Sequence, residues 1–241
     1  VGQVARAHEG TGGFQDSSGR GRTVVAAQMW RAISKEVREV RSGETFWEDL
    51  FAAANAALSG RPGPAVLLVP RDVWDLPVPA RPAQWPQSLS EVAPAVTPSS
   101  QALHDLEAAI RGSKRPVMIA GAGTRQDGAE DAVVALSRRA QIPVATTLSD
   151  VGAYPNSDEL YLGVIGTAGH PSTHRYINEE ADLILVVGSR MELMLSAPIQ
   201  AALERCDVWF VDVETSCVTE RFPQAKCVEG GLQNTIEALA D

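Results

Sequence analysis

Beyond residue 98 the chain alternates between two hydrophobic patterns. Short runs are apolar almost throughout: PVMIAG (116–121), PVATTL (143–148), ADLILVVGS (181–189), VWFVDV (208–213) and a weaker KCVEG (226–230). Their length and content are those of strands buried on both faces. Between them lie stretches with apolar residues at helical spacing: SSQALHDLEAAIRGS (99–113), GAEDAVVALSRRAQ (128–141), HPSTHRYINEEA (170–181), APIQAALERC (197–206) and LQNTIEALAD (232–241). Buried strands separated by helices predict a parallel sheet covered on both faces. Right-handed crossovers make that an α/β doubly wound, Rossmann-like fold.

The first 98 residues are less regular. VGQVARAHEGTGGFQDSSGRGR (1–22) is rich in glycine, serine and charge and reads as loop. TVVAAQMWRAISKEVREV (23–40) has apolar residues near helical spacing behind a β-branched start. TFWEDLFAAANAAL (45–58) predicts a helix with Thr45 as cap and SGRPG as stop, and AVLLVP (65–70) predicts a strand. Six prolines between Leu76 and Pro98 exclude helix interiors and central strands there. The expected organisation is an α/β segment over 1–75, a semi-rigid proline-rich linker over 76–98, and an α/β domain over 99–241.

Composition narrows the partners. A net charge of -9 argues against electrostatic capture by nucleic acid or anionic membranes, and no apolar stretch approaches the length of a membrane span. Three cysteines, Cys206, Cys217 and Cys227, without CxxC spacing suit reduced thiols and a cytoplasmic location. A chain that starts with Val1 and no signal-peptide pattern is expected to be a fragment or a processed product.

In a sheet of this type, ligands sit beyond the carboxyl ends of the strands. Those ends carry Gly121-Ala122-Gly123, Thr147-Leu148, Gly188-Ser189-Arg190, and Asp212-Val213 followed by Glu214. Glycines admit close approach of a ligand, an arginine pairs with phosphate, and an acidic strand end accepts from ribose hydroxyls. The competing reading of the glycines is that they only make tight turns. His170 and His174 would share a helix face, and without further ligands they read as polar surface rather than metal site. GAGTRQ lacks the third glycine of a dinucleotide fingerprint, so an NAD-dependent oxidoreductase ranks last. No catalytic triad or metal set stands out by spacing.

SGRPGPAVLLVPRDV (59–73) resembles the segment closing the pyrimidine-binding domain of thiamine diphosphate enzymes of the acetolactate synthase type. Upstream, GTGGFQD (10–16) is similar to that family's G-T-D-A-F-Q-E loop. Downstream, RPVMIAGAGT, IPVATTLSDVGAYP, LGVIGTAGHPST and ADLILVVGSRM resemble its central domain in order and spacing. The resemblance implies that 1–75 is the end of a partial first domain, that 99–241 is a whole central domain with a six-stranded parallel sheet, and that the parent is a carboligase or decarboxylase acting on 2-oxo acids, with pyruvate as donor. It implies thiamine diphosphate and Mg2+ in the intact homodimeric or homotetrameric enzyme, a catalytic glutamate ahead of Val1, and a GDG…N motif in a third domain. The sequence has no GDG, so the chain alone is expected to bind no thiamine diphosphate and to contain no catalytic residue.

The same resemblance implies FAD in the central domain, with ADP, coenzyme A or no ligand as alternatives. Carried over by motif, the cofactor contacts are Gly121, Ala122, Gly123, Thr147, Leu148, Gly166, Thr167, Gly188, Ser189, Arg190, Asp212 and Val213, with Arg61 as an addition. Phe14 and Gln15 match the loop that faces thiamine and substrate. Two departures weaken the flavin match: Arg190 is followed by MELML instead of F-D-D-R, and the late E-G-D segment reads Glu229-Gly230-Gly231. The alternative function is a non-catalytic nucleotide-binding or assembly domain.

Overall fold

The computed structural model describes residues 1–240. It divides into two compact units, Val1–Ala95 and Val96–Asp241.

In the first unit, β1 (Gly2–Gln3), β2 (Glu36–Glu39) and β3 (Ala65–Pro70) form a parallel sheet in the order β1-β3-β2. The helix Phe46–Leu58 connects β2 to β3. The stretch 23–40 is not one helix. Only Ala26–Arg31 is helical, and Glu36–Glu39 pairs with Ala65–Leu68. Pairing along β3 overrides the local spacing, as tertiary partners commonly do for strands. The proline-rich interval packs on the 46–58 helix. Trp85 lies edge-on to Trp47 with centroids 4.9 Å apart, Trp47 Nε1 donates to Pro79 O at 2.9 Å, and Asn55 Nδ2 donates to Val92 O at 2.6 Å.

The second unit holds β4 (Pro116–Ala120), β5 (Val144–Thr147), β6 (Tyr161–Ile165), β7 (Leu183–Val187), β8 (Asp207–Asp212) and β9 (Lys226–Glu229). They form one parallel six-stranded sheet in the order β6-β5-β4-β7-β8-β9. The strand at Tyr161–Ile165 escapes the apolar pattern because Gly163 interrupts it, at φ 108, beside a register shift opposite Val144 and Ala145. The period-two alternation of strand side chains divides the core in two. Met118, Ala120, Leu185, Val187 and Val211 pack with Leu106, Val133, Leu136 and Ile236 of the helices Ser100–Gly112, Glu130–Ala140 and Leu232–Ala240. Val117, Ile119, Ile184, Val186 and Phe210 pack on the other face with Ile177, Leu203 and Val218 of the helices Pro171–Glu180, Gln200–Arg205 and Ser216–Arg221. Burying each such large side chain contributes about 1.5–3 kcal/mol relative to leaving it in water.

The order of the sheet reverses between β4 and β7: β5 and β6 extend one way from β4, and β8 and β9 the other way from β7. The two loops at this point lie backbone against backbone. Gly121 N donates to Val187 O and Gly123 N to Gly188 O, both at 2.9 Å. A Cβ at Gly121 would stand 2.6 Å from Gly188 O, and one at Gly123 would stand 2.7 Å from Gly188 Cα. Gly188 has φ 63, and its Cβ would lie 2.6 Å from Thr124 N. At the opposite, amino-terminal edge, Asp182 ties the entry of β7 to the turn before β4. Its carboxylate accepts from Ser113 Oγ, from Lys114 N at 2.9 Å and from Arg115 N at 3.0 Å.

Gly188→Ala meets both a left-handed backbone and a closed space, so denaturant unfolding should show the second unit weakened by about 2–4 kcal/mol. A wild-type midpoint would mean the loops can separate freely. For Asp182, burial would raise the carboxyl pKa, but the bonds from Ser113, Lys114 and Arg115 outweigh it and hold the value below the ordinary 3.8. The stabilisation is therefore complete above pH 3.8 and is lost as pH falls through the depressed folded value. Asp182→Asn should lower stability by about 1 kcal/mol at neutral pH and shrink the difference from wild type in acid, read from unfolding midpoints across pH.

Candidate functional site

Parallel strands end on one edge of the sheet, so the residues after β6, β5, β4, β7 and β8 are brought to a common side. Gly121, Ala122 and Gly123 follow β4 and open the short helix Ala122–Gln126. Thr147 ends β5, buried, and Leu148 follows it, 57% exposed. Gly166 and Thr167 follow β6, where Thr167 N donates to Met194 O at 2.8 Å. Gly188, Ser189 and Arg190 follow β7, while Asp212 ends β8 and Val213 follows it. All twelve central-domain candidates thus share the carboxyl edge of the second unit.

Their chemistry differs from what motifs suggest. Gly121, Gly123 and Gly188 are close-packed against each other, so tight loop packing accounts for them without a ligand. Arg190 is half-exposed and its Nε donates to Glu192 Oε1 at 3.1 Å, so part of its charge is already neutralised. Thr147 Oγ1 is buried without a hydrogen-bond partner among the described residues. A buried hydroxyl left unmatched is costly, so Thr147 stands out on this edge as a polar group whose hydrogen bonding the described residues do not supply. The Asp212 carboxylate is buried at the end of β8 and accepts from Glu214 N at 3.5 Å. The hydroxyl on β5 and the carboxylate on β8 lie three strand spacings apart, about 14 Å, so they suit polar groups at two separate parts of an extended ligand, while Arg190 suits a phosphate once Glu192 yields.

Several residues at this edge escape a motif reading. Arg125 forms a forked pair with Asp150, Nε to Oδ1 at 3.0 Å and Nη2 to Oδ1 at 2.7 Å, joining the loops after β4 and β5. The signal was present one residue beyond GAGT and one beyond TTLS. Met191 is fully buried at φ 49, and Arg221 donates to the loop that holds it. Nothing in a lone methionine or a helix-end arginine marks those roles in sequence. The two histidines do not form a common polar face. His170 caps the 171–180 helix, its Nδ1 accepting from Ser172 N at 3.2 Å. His174 turns inward, and its Nε2 is buried without a partner among the described residues. Burial holds His174 below the ordinary imidazole value despite an opposing bond with the Gly166 backbone.

The first unit has its own concavity, about 570 Å3, beyond the carboxyl ends of β1 and β3. Phe14 and Gln15 line it with His8, Asp72, Trp74 and Asp75. Phe14 is 89% and Trp74 67% exposed, an unusual display of two large rings at one cavity. Gln15 has φ 62, and the loop is closed by Asp16, whose carboxylate accepts from Gly10 N at 2.8 Å and from Ser18 Oγ at 2.8 Å. Arg61 stands elsewhere, exposed in the loop before β3 at the amino end of that strand, its carbonyl accepting from Lys35 Nζ. Within this unit it is separated from Phe14 and Gln15 by the length of β3.

Comparison with known proteins agrees with this architecture. The chain is 34% identical over 194 residues to the large subunit of acetolactate synthase isozyme 1 of Escherichia coli K12, covering 80% of this chain and 32% of that protein. It is 29% identical over 227 residues to the chloroplastic acetolactate synthase 2 of Nicotiana tabacum, covering 90% of this chain and 31% of that one. The chain therefore spans about a third of the length of these relatives. A crystal structure of a thiamin diphosphate-dependent enzyme from Mycobacterium smegmatis superposes with a TM-score of 0.78 at 20% identity, over 99% of this chain and 44% of that one, and speaks to the fold. Residues 103–239, nearly the whole second unit, match the family model of the thiamine pyrophosphate enzyme central domain. With that match laid over a six-stranded parallel sheet of the order described, the chain belongs to the thiamine pyrophosphate enzyme central-domain family.

Proposed function

We propose that this chain forms part of an acetolactate synthase-like, thiamine diphosphate-dependent transferase that acts on 2-oxo acids, with pyruvate as the donor. The second unit serves as a nucleotide cradle, and the cavity of the first unit forms one wall of the thiamine- and substrate-facing site. The observation that carries this reading is the carboxyl edge of the second unit, where Thr147 Oγ1 lacks a partner among the described residues and the Asp212 carboxylate stands two strands beyond β4. Identity to acetolactate synthases along 80–90% of the chain supports the reaction class.

In the intact enzyme, thiamine diphosphate with Mg2+ supplies the electron sink that lets a 2-oxo acid lose its carboxylate. The chain's own residues have other tasks. Phe14 and Trp74 present apolar surface that excludes water from the cavity, and Gln15 offers an amide to orient a carboxylate or carbonyl. On the second unit, Thr147 and Asp212 hold polar groups at two separate parts of the nucleotide and Arg190 its phosphate. FAD is the favoured occupant and ADP the alternative; in either case its task is structural. The working form is a homodimer or homotetramer in the cytoplasm. The non-catalytic alternative, a nucleotide-binding or assembly module, describes the isolated chain, because the sequence contains no Gly-Asp-Gly motif for the diphosphate.

Purified chain incubated with FAD should retain a flavin absorption band after gel filtration, and Thr147→Val should weaken FAD binding about three- to tenfold in a fluorescence titration. Retention of ADP alone would make the adenine nucleotide the occupant, and retention of neither would remove the cradle. With pyruvate, thiamine diphosphate and Mg2+, the 241-residue chain should show no acetolactate formation; measurable turnover would overturn this division of labour between the chain and the rest of the enzyme.

A further inference from the structure

Arg221 ends the helix Ser216–Arg221, on the crossover after β8, yet its hydrogen bonds go to the neighbouring loop after β7. Nη1 donates to Arg190 O at 3.0 Å and Nη2 to Met191 O at 2.8 Å. These are consecutive carbonyls, and a planar guanidinium fork is suited to hold two acceptors at once. Between them the backbone makes an uncommon turn. Met191 sits at φ 49 with its side chain fully buried, a conformation that a non-glycine residue keeps only when its surroundings over-determine it. Met191 N donates to Ser189 Oγ at 3.2 Å, and Glu192, the next residue, is the partner of Arg190. The side chain of Met191 anchors the turn from inside, and Arg221 holds it from outside.

We infer that Arg221 is a positioning residue for the nucleotide edge: by clamping the carbonyls of Arg190 and Met191 it fixes the left-handed turn that presents the Arg190 guanidinium at the carboxyl end of β7. It touches no ligand itself. Free of the clamp, Met191 relaxes toward ordinary backbone angles and Arg190 loses its fixed point of departure from the chain. The inference rests on the nucleotide reading of this edge for its effect on binding, but the clamp itself is observable without any ligand.

Two measurements on the full 241-residue chain separate these. Hydrogen exchange of wild type, Arg221→Ala and Arg221→Lys reads the clamp. The alanine variant should exchange the Met191 amide, bonded to Ser189 Oγ in the clamped turn, about tenfold faster while the amides of β7 and β8 keep their protection. The lysine variant, which keeps a cation but not the fork, should fall between. Unchanged exchange at Met191 in the alanine variant overturns the inference, and so does loss of protection across the whole sheet, which would make Arg221 a general structural residue. Titration with FAD and with ADP reads the consequence: the alanine variant should bind about tenfold more weakly at an unchanged melting temperature, and the lysine variant should recover part of the loss. Equal binding by wild type and alanine variant overturns the positioning role. If wild type binds neither nucleotide, the cradle reading fails, and the exchange data alone decide whether the clamp exists.

Discussion

The backbone-to-backbone closure of the loops after β4 and β7 is the constraint on which the second unit depends. At a reversal of strand order two chains leave adjacent strands toward opposite faces of the sheet. In this protein they do so within hydrogen-bond distance, Gly123 N to Gly188 O at 2.9 Å. No side chain fits between them. The same closure sets where everything else at this edge can be. It turns Ala122–Gln126 back over the sheet, places Arg125 against Asp150, and sends Gly188–Met191 outward under Arg221.

This changes what a glycine-rich strand end means in this protein. The Gly-Ala-Gly run looks like a phosphate-binding loop, yet its missing side chains leave room for protein backbone. Around the closure stand the polar groups of this edge: the Thr147 hydroxyl, which has no hydrogen-bond partner among the described residues, the carboxylate of Asp212, and an arginine paired with Glu192.

The first unit works by a different device. A loop rich in left-handed residues, from Gly10 to Arg22, is pinned by two carboxylates: Asp16, bonded to Gly10 N and Ser18, and Glu9, paired with Arg20 and Arg41. The pinning displays Phe14 almost fully to solvent at the carboxyl ends of β1 and β3. An exposed ring held in place beside a strained turn is costly, so the order of this loop rests on those carboxylate bonds.

Hydrophobic pattern alone made the parallel, doubly wound architecture of the second unit legible, because strands buried on both faces must be apolar throughout and helices covering them must be amphipathic. Strand ends legible in this way put ten of the twelve candidates on one edge; Gly166 and Thr167 came only from the family resemblance, because the strand before them is not apolar throughout. Tyr161–Ile165 was hidden by Gly163, and Glu36–Glu39 by a spacing that only pairing with β3 overrules. The packing of the glycines, the Thr147 hydroxyl without a partner among the described residues, and the arginines held by Asp150 or by neighbouring carbonyls emerge only when the chain is folded. The reason is that hydrophobic pattern is local and periodic, whereas satisfaction of a polar group depends on partners brought from tens of residues away.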